Sequence, residues 1–299
     1  MRPYNRKPDS SLYVNGVEIA SFQAEEGGNL DQQTVDSFGE EWSAFDSFDE
    51  AEIATIGDEY FDVVSESIYG EEKVALDVGC GSGRWSLYAA KKFGFVEAVD
   101  PSKAVLTAAA NAKGLNNIRI SQAGVDNIPF EDESFDFVFS LGVLHHIPNT
   151  AEAMKACVKK LKSGGYFLVY LYYSLDNRGS AYKLLFKASN SIRWFISKMP
   201  ATIKKILCDL IAALVYFPLV MLARLVKTVG FKSWKKLPLS YYANKSFFVI
   251  RNDALDRFGT PLEQRFSKKE INQMMRDSGL VDITFSNKTP YWHAVGKKV

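Results

Sequence analysis

VALDVGCGSGRWSLYAA, residues 74–90, runs from a short apolar strand at 74–78 through glycines at 79, 81 and 83 into a helix-compatible pattern over 84–92. A strand that turns through glycines into a helix opens a βα unit, and the missing side chains let a ligand approach the backbone. The flanking residues narrow the ligand. A dinucleotide fingerprint, G-x-G-x-x-G, needs its third glycine where Arg84 stands, and the phosphate loop G-x-x-x-x-G-K-[ST] is missing because no Lys-Ser or Lys-Thr follows. Asp77, at the strand end, repels a pyrophosphate and attracts a cation. Asp100 ends the next strand, where a carboxylate can accept hydrogen bonds from ribose hydroxyls. Adenosine carrying a positive charge and no phosphate fits this pattern.

Outward from this unit the alternation repeats. Residues 96–99 read as a strand ending at Asp100, 102–113 as an Ala-rich helix that Ser102 can cap, and 118–120 and 135–140 as strands. A helix at 150–162, stopped by KSGG, and a strand at 166–172 follow. Strands joined by helical crossovers predict a parallel sheet with helices on both faces. After about 90 residues without alternation, a capped helix begins at Ser267 with Glu270 three residues on, followed by strands at 283–286 and 291–295. Ahead of the sheet, Val35, Phe38, Trp42, Phe45 and Phe48 recur at helical spacing within 32–69, and the polar residues 1–30 read as a loose leader.

Composition sets further bounds. At 299 residues, 47% apolar and 13% aromatic, the chain can bury a large core, which excludes global disorder. Cys80, Cys157 and Cys208 share no metal-ligand spacing, so neither a disulfide framework nor a metal site is expected, and a reducing cytoplasm fits. The opening MRPYNRKPDSSLYVNG lacks a signal-peptide pattern. The net charge of +1 hides a division: no Lys or Arg stands between Lys7 and Lys73, where 18 Asp and Glu occur. From 178 to 236 there are 12 Lys and Arg against the single acid Asp209. Such asymmetry suggests contact with an anionic surface, or else mutual neutralisation within the fold.

Four segments in order, LDVGCGSGRWS, AVDPS, NIPFEDESFDFVFSLGVLHHIPN and LKSGGYFLV, resemble the motifs of class I S-adenosylmethionine-dependent methyltransferases, of the type 11 or ubiquinone-biosynthesis-like kind. The resemblance covers about residues 70–173 and resumes at 266–297. It implies an α/β fold, a Rossmann-like doubly wound sheet of seven strands in order 3-2-1-4-5-7-6, with the last strand antiparallel and a helical cap insert. The implied domains are a helical leader or lid at 1–70, a cofactor-binding core at 71–173, the insert at 174–265 and the rest of the core at 266–299.

By the same resemblance Asp77 and the loop Gly79, Cys80, Gly81 and Gly83 hold the methionine part of S-adenosylmethionine. Asp100 binds the ribose, Pro101 and Ser102 flank the adenine, and Leu141 and Val143 line the cofactor near its methyl group. Where the family carries an Asp-Ala pair for the adenine edge, this chain has Gly124 and Val125; the Val125 N–H can keep one contact and Asp126 can supply a carboxylate. Read from the residues alone, Cys80, with no His or metal partner nearby, is a small packing residue within the loop. Phe38 and Trp42 read either as part of a lid or as core.

Methyl transfer from a sulfonium needs alignment and exclusion of water, and a general base only when the acceptor must lose a proton. His145 and His146, in GVLHHI, are the candidates for that base; the alternative is that they orient the loop or pack beside the cofactor. Specificity is expected in the insert. Its uncharged stretch, 210–223, has 14 residues, roughly 21 Å as helix against a hydrocarbon layer of roughly 30 Å, and Pro218 interrupts it. Basic flanks with Trp194, Phe195, Phe217, Phe231 and Trp234 suit a segment at a membrane surface within 190–236, at the cytoplasmic face. A buried helical pair or a dimer interface is the alternative, and oligomeric state stays open. A small or amphipathic acceptor, lipid-linked or glycan-related, is expected, and the leader FGEEWSAFDSF resembles that of methyltransferases of surface-polysaccharide biosynthesis. A tRNA or protein methyltransferase and a non-catalytic scaffold are the alternatives; the long apolar run argues against nucleic acid.

Overall fold

Side chains alternate across the strand that carries Asp77, and this sets the layers. A computed structural model describes every residue except 24–27, 44–49, 178 and 289. In chain order the elements are β1 (Ser10–Val14), β2 (Val17–Ser21), α1 (Gln32–Ser43), α2 (Glu50–Tyr60), β3 (Gly70–Val78), α3 (Arg84–Ala89), β4 (Phe93–Asp100) and α4 (Ala104–Asn111). Next come β5 (Ile118–Gln122), β6 (Phe135–Leu141), α5 (Thr150–Lys159), β7 (Leu161–Tyr170), α6 (Ser180–Ile196), α7 (Ala201–Ile211), α8 (Phe217–Thr228) and α9 (Phe247–Gly259). The chain closes with α10 (Lys268–Asp277), β8 (Leu280–Phe285) and β9 (His293–Lys298).

The strands form one nine-stranded sheet in order β1-β2-β5-β4-β3-β6-β7-β9-β8. From β3 to β7 neighbouring strands are parallel, and β9 runs antiparallel to β7 and β8. Numbered among themselves, the seven strands from β3 onward lie in order 3-2-1-4-5-7-6. The expectation of seven strands and a loose leader is corrected at the edge. Asn15 and Gly16 take φ of 48° and 83°, the two left-handed residues that close a tight hairpin between β1 and β2. β2 then pairs parallel to β5 at Ala20–Ser121 and Ser21–Gln122, and Ile19 is wholly buried with Ala98 and Ile120. The KSGG stop is corrected too: Lys162 to Gly165 lie inside β7, because Leu161 already pairs with Phe135.

Val74, Leu76 and Val78 face a core shared with Val138, Phe167 and Val169, under Met154 of α5 and Met275 of α10. Ala75 points the opposite way, among Phe137, Phe139, Trp85 and Tyr88. Each wholly buried phenylalanine contributes about 1.5–3 kcal/mol. Asp77, two residues from Ala75, therefore faces α3.

Glu97 is fully buried on β4 and accepts Arg119 Nε at 2.8 Å, Arg119 Nη2 at 2.9 Å and the Arg2 N–H at 2.7 Å. The Arg119 guanidinium lies 4.0 Å from the Tyr4 ring centroid. This cluster ties the first residues of the chain to two adjacent strands.

The chain divides into two compact units, residues 1–176 with 262–299, and residues 177–261. The second unit contains α6 to α9 around a small core of Ile196, Cys208 and Phe258. Pro218 does not break its helix. Residues 212–216 form a π-turn in which the Phe217 N–H reaches back to the Ala212 carbonyl, and helix continues from α7 into α8. The wider turn gives room for a proline ring that a regular α-turn would exclude.

Candidate active site

The carboxyl ends of β3, β4, β6 and β7 collect the chemistry. Gly79, Gly81 and Gly83 take φ of 82°, 53° and 84°. The N–H groups of Gly79 and Cys80 donate to the Val99 carbonyl at 2.8 and 3.0 Å, and the Gly81 N–H donates to Asp100 Oδ2 at 2.9 Å. The loop is thus fastened to the end of the neighbouring strand. At Gly79 a Cβ would stand 2.4 Å from Val143 Cγ1, so this position cannot take a side chain without displacing the residue beyond β6. Gly79→Ala is expected to lower stability by ~2 kcal/mol and cofactor affinity about ten-fold, measured by thermal unfolding and calorimetry.

Asp77 is 1% exposed, accepts the Ser86 hydroxyl at 2.6 Å, and its carboxyl is pushed up to about 7. Burial is the main cause; the Ser86 hydrogen bond opposes it and the nearby Asp100 carboxylate adds to it. Asp100 accepts the Ser102 N–H and hydroxyl on Oδ1, at 2.8 and 2.6 Å. Among the described residues neither carboxylate has a cationic side chain opposite it. Two acids at adjacent buried strand ends without a counter-charge fit a cationic adenosyl ligand, and S-adenosylmethionine has that charge and no phosphate.

The remaining predicted residues take the following places. Pro101 and Ser102 follow Asp100, and the Pro101 carbonyl accepts Gln122 Nε2 at 3.1 Å. Cys80 is buried with its side chain among Val105, Ala108 and Ile120; burial pushes its thiol well up. Leu141 ends β6 and is buried; Val143 stands against Gly79. Val125 is buried in a turn after β5, whereas Asp126 is exposed and accepts the Asn29 N–H. Phe38 meets the His146 ring edge-on at 4.8 Å. The side chain of Trp42, with Phe45 and Phe48, lies outside the described residues.

His145 and His146 occupy a short 3₁₀ turn just beyond Val143. The His146 Nδ1 is 2.7 Å from the Leu262 carbonyl, which can only accept, so Nδ1 carries the proton. His145 is wholly buried, and among the described residues neither ring nitrogen has a hydrogen-bond partner. Burial, then the neighbouring His146 and Arg265, hold its pKa well below the usual histidine range, so it is neutral.

Sequence reasoning missed the wall around His145. Its ring lies 3.9 Å from Tyr172, Tyr172 lies 5.9 Å from Tyr170, and Tyr170 lies 5.1 Å from Tyr60 of α2. Beyond Tyr60, the buried His293 sits between the Pro290 carbonyl and Asp62, at 2.7 and 2.8 Å. Burial works against ionisation of Asp62, but hydrogen bonds from His293 and Ser286 outweigh it and hold the carboxyl low. One signal was available: Tyr170 and Tyr172 flank the buried Leu171 at a strand's carboxyl end, where parallel sheets bind ligands.

Fold, glycine loop and paired strand-end acids define a class I S-adenosylmethionine-dependent methyltransferase domain. Residues 76–169 match the family model described as a methyltransferase domain, and this segment is one. Over 97 residues, 31% of this chain and 30% of the relative, the sequence is 35% identical to a tRNA U34 carboxymethyltransferase of Desulfotalea psychrophila. Over 132 residues, 43% of this chain and 53% of the relative, it is 30% identical to a ubiquinone biosynthesis O-methyltransferase of Hydrogenovibrio crunogenus. The chain therefore spans between about a third and half of the length of these relatives. Among solved structures it is similar to the YcgJ protein of Bacillus subtilis, with a TM-score of 0.47 and 17% identity over 79% of this chain and 70% of that one.

Proposed function

We propose that the protein methylates a small or amphipathic acceptor, lipid-linked or glycan-related, using S-adenosylmethionine. The observation that carries this reading is the buried, neutral His145 set in a wall of tyrosines. S-adenosylmethionine supplies a methyl group already activated on a sulfonium. The chain's own work is to align the acceptor, exclude water and, where the acceptor must lose a proton, to take that proton. A neutral imidazole keeps one unprotonated ring nitrogen that can take this proton, as a base weakened by burial, and tyrosine faces suit an apolar acceptor body. Relatives named for demethylmenaquinone, ubiquinone and sterol methylation support an apolar acceptor. We assign the enzyme to the cytoplasm, where the buried thiols of Cys80 and Cys157 stay reduced.

A second reading, an RNA acceptor, is favoured by the basic stretch at 178–236 and by the relative named for tRNA. Incubation with methyl-labelled cofactor and fractionated cell extract separates the two. Label is expected in the lipid or small-molecule fraction; label confined to RNA or protein overturns the acceptor class, and no label overturns the activity.

His145→Phe keeps the ring packing and removes both nitrogens. Turnover should fall between about ten- and a hundred-fold with cofactor affinity unchanged. Unchanged turnover would show that the ring only packs.

A further inference from the structure

The helix that continues through α7 and α8 turns an apolar face away from its own unit's core. Ile206, Leu210 and Leu214, then Met221, Leu225 and Val229, recur every four residues and are 44–71% exposed. Most of the apolar stretch within Thr202–Thr228 is unburied, whereas a helix interior to a globular unit is covered on its apolar side. The opposite face, with Cys208, Ala212, Val220 and Ala223 wholly buried, packs within the unit.

Charge indicates what covers the exposed face. Residues 177–261 carry 15 Lys and Arg and 3 Asp, a net of +12 in a chain whose total is +1. The half-exposed Trp194 lies beneath Lys198 Nζ at 3.7 Å, and Lys227 and Lys235 approach the Trp234 ring at 5.2 and 6.0 Å. Indole rings beside ammonium groups, in the same unit as the apolar stripe, match the boundary between headgroups and acyl chains. A second copy would bring two strongly basic surfaces together, which disfavours self-association.

We propose that this face docks the protein, with the helix lying flat, on an anionic lipid bilayer. At 27 residues the helix is long enough to cross a membrane. Its middle, however, is packed: Tyr216 meets Phe258 of α9, and Asp209, near the start of the uncharged stretch, pairs with Arg251 of α9. Crossing would carry the charges of α9 into hydrocarbon, so the helix lies in the interface with its apolar face down and its lysines at the headgroups. Combined with the function proposed above, docking brings the enzyme to lipid-borne acceptors.

Flotation of the full chain with phosphatidylcholine vesicles, with and without phosphatidylglycerol, tests this without any turnover, so its failure is separate from failure of the methyltransferase reading. The protein should float with the phosphatidylglycerol vesicles and only weakly with phosphatidylcholine alone. Leu214→Glu combined with Leu225→Glu should weaken partition at least about ten-fold, and Lys205→Glu with Lys235→Glu should do the same. Both pairs are at exposed positions, and unchanged circular dichroism and cofactor affinity will verify the fold. Three results would overturn docking: native protein that stays with the soluble fraction, Glu variants that float as native, or a lipid-free dimer that Leu214→Glu dissolves.

Discussion

Asp77→Asn should weaken S-adenosylmethionine binding about a thousand-fold at pH 8 while making the ligand-free protein more stable. Both effects have one cause. The carboxylate is buried beside Asp100 with no described cation opposite it, so ionising it costs free energy unless a positive ligand arrives. Removing one partner of a buried charge pair costs about 2–5 kcal/mol of binding, which spans the predicted loss. The pH dependence follows from a carboxyl at about 7 in the folded state and ~3.9 unfolded. Below about pH 4 both states are protonated and the stabilisation is fully present; it is lost as pH rises through about 7, by up to ~4 kcal/mol. Ligand affinity runs the other way, rising toward pH 7 as the carboxylate forms and then levelling. Calorimetry and thermal unfolding of the native protein and Asp77→Asn at about pH 5 and about pH 8 should show both trends in the native protein and neither in the variant. Equal affinity of the two proteins at pH 8 would remove Asp77 from the binding site.

Arg119→Met should destabilise the protein by about 3–5 kcal/mol, because it strands Glu97 in the sheet. Glu97 is fully buried, and burial already raises its carboxyl above the usual range against the opposing hydrogen bonds from Arg119. Without the guanidinium that carboxyl rises further. A raised folded-state pKa contributes stability that is present at low pH and lost as pH rises, so the defect should be small at about pH 5 and full at about pH 8. The double variant Glu97→Leu, Arg119→Leu should recover most of the loss, since two well-packed aliphatic side chains can replace a buried ion pair. Urea unfolding at the two pH values measures all three proteins. Because the Arg119 guanidinium also donates to the Arg2 carbonyl, the first residues should become protease-sensitive in Arg119→Met.

The βα core was legible because its signals are short-range. Glycines that must take positive φ, the period-two alternation of Val74, Leu76 and Val78, and Ser267 with Glu270 at α10 each involve residues within a few positions of one another. The capping box is present as read, with the Glu270 N–H donating to Ser267 Oγ at 3.2 Å and Ser267 N–H donating back to Glu270 at 2.7 Å. The N-terminal hairpin was equally local: Asn15-Gly16 between LYV and VEI is a hairpin signal that the polar surroundings obscured. Pro218 misled because its cost was weighed against a regular α-turn, and the π-turn before it removes the clash.

By itself the sequence determined the βα alternation, the positions of the glycine loop and its two acids, and the uneven distribution of charge, because each is carried by neighbouring residues or by simple counts. Only the tertiary structure decided what faces what. It stripped water from Asp77, left both nitrogens of His145 without partners among the described residues, and set His293 against Asp62, 231 residues away. Burial and pairing of this kind depend on strand register and on which elements pack together, and no local pattern of residues specifies those.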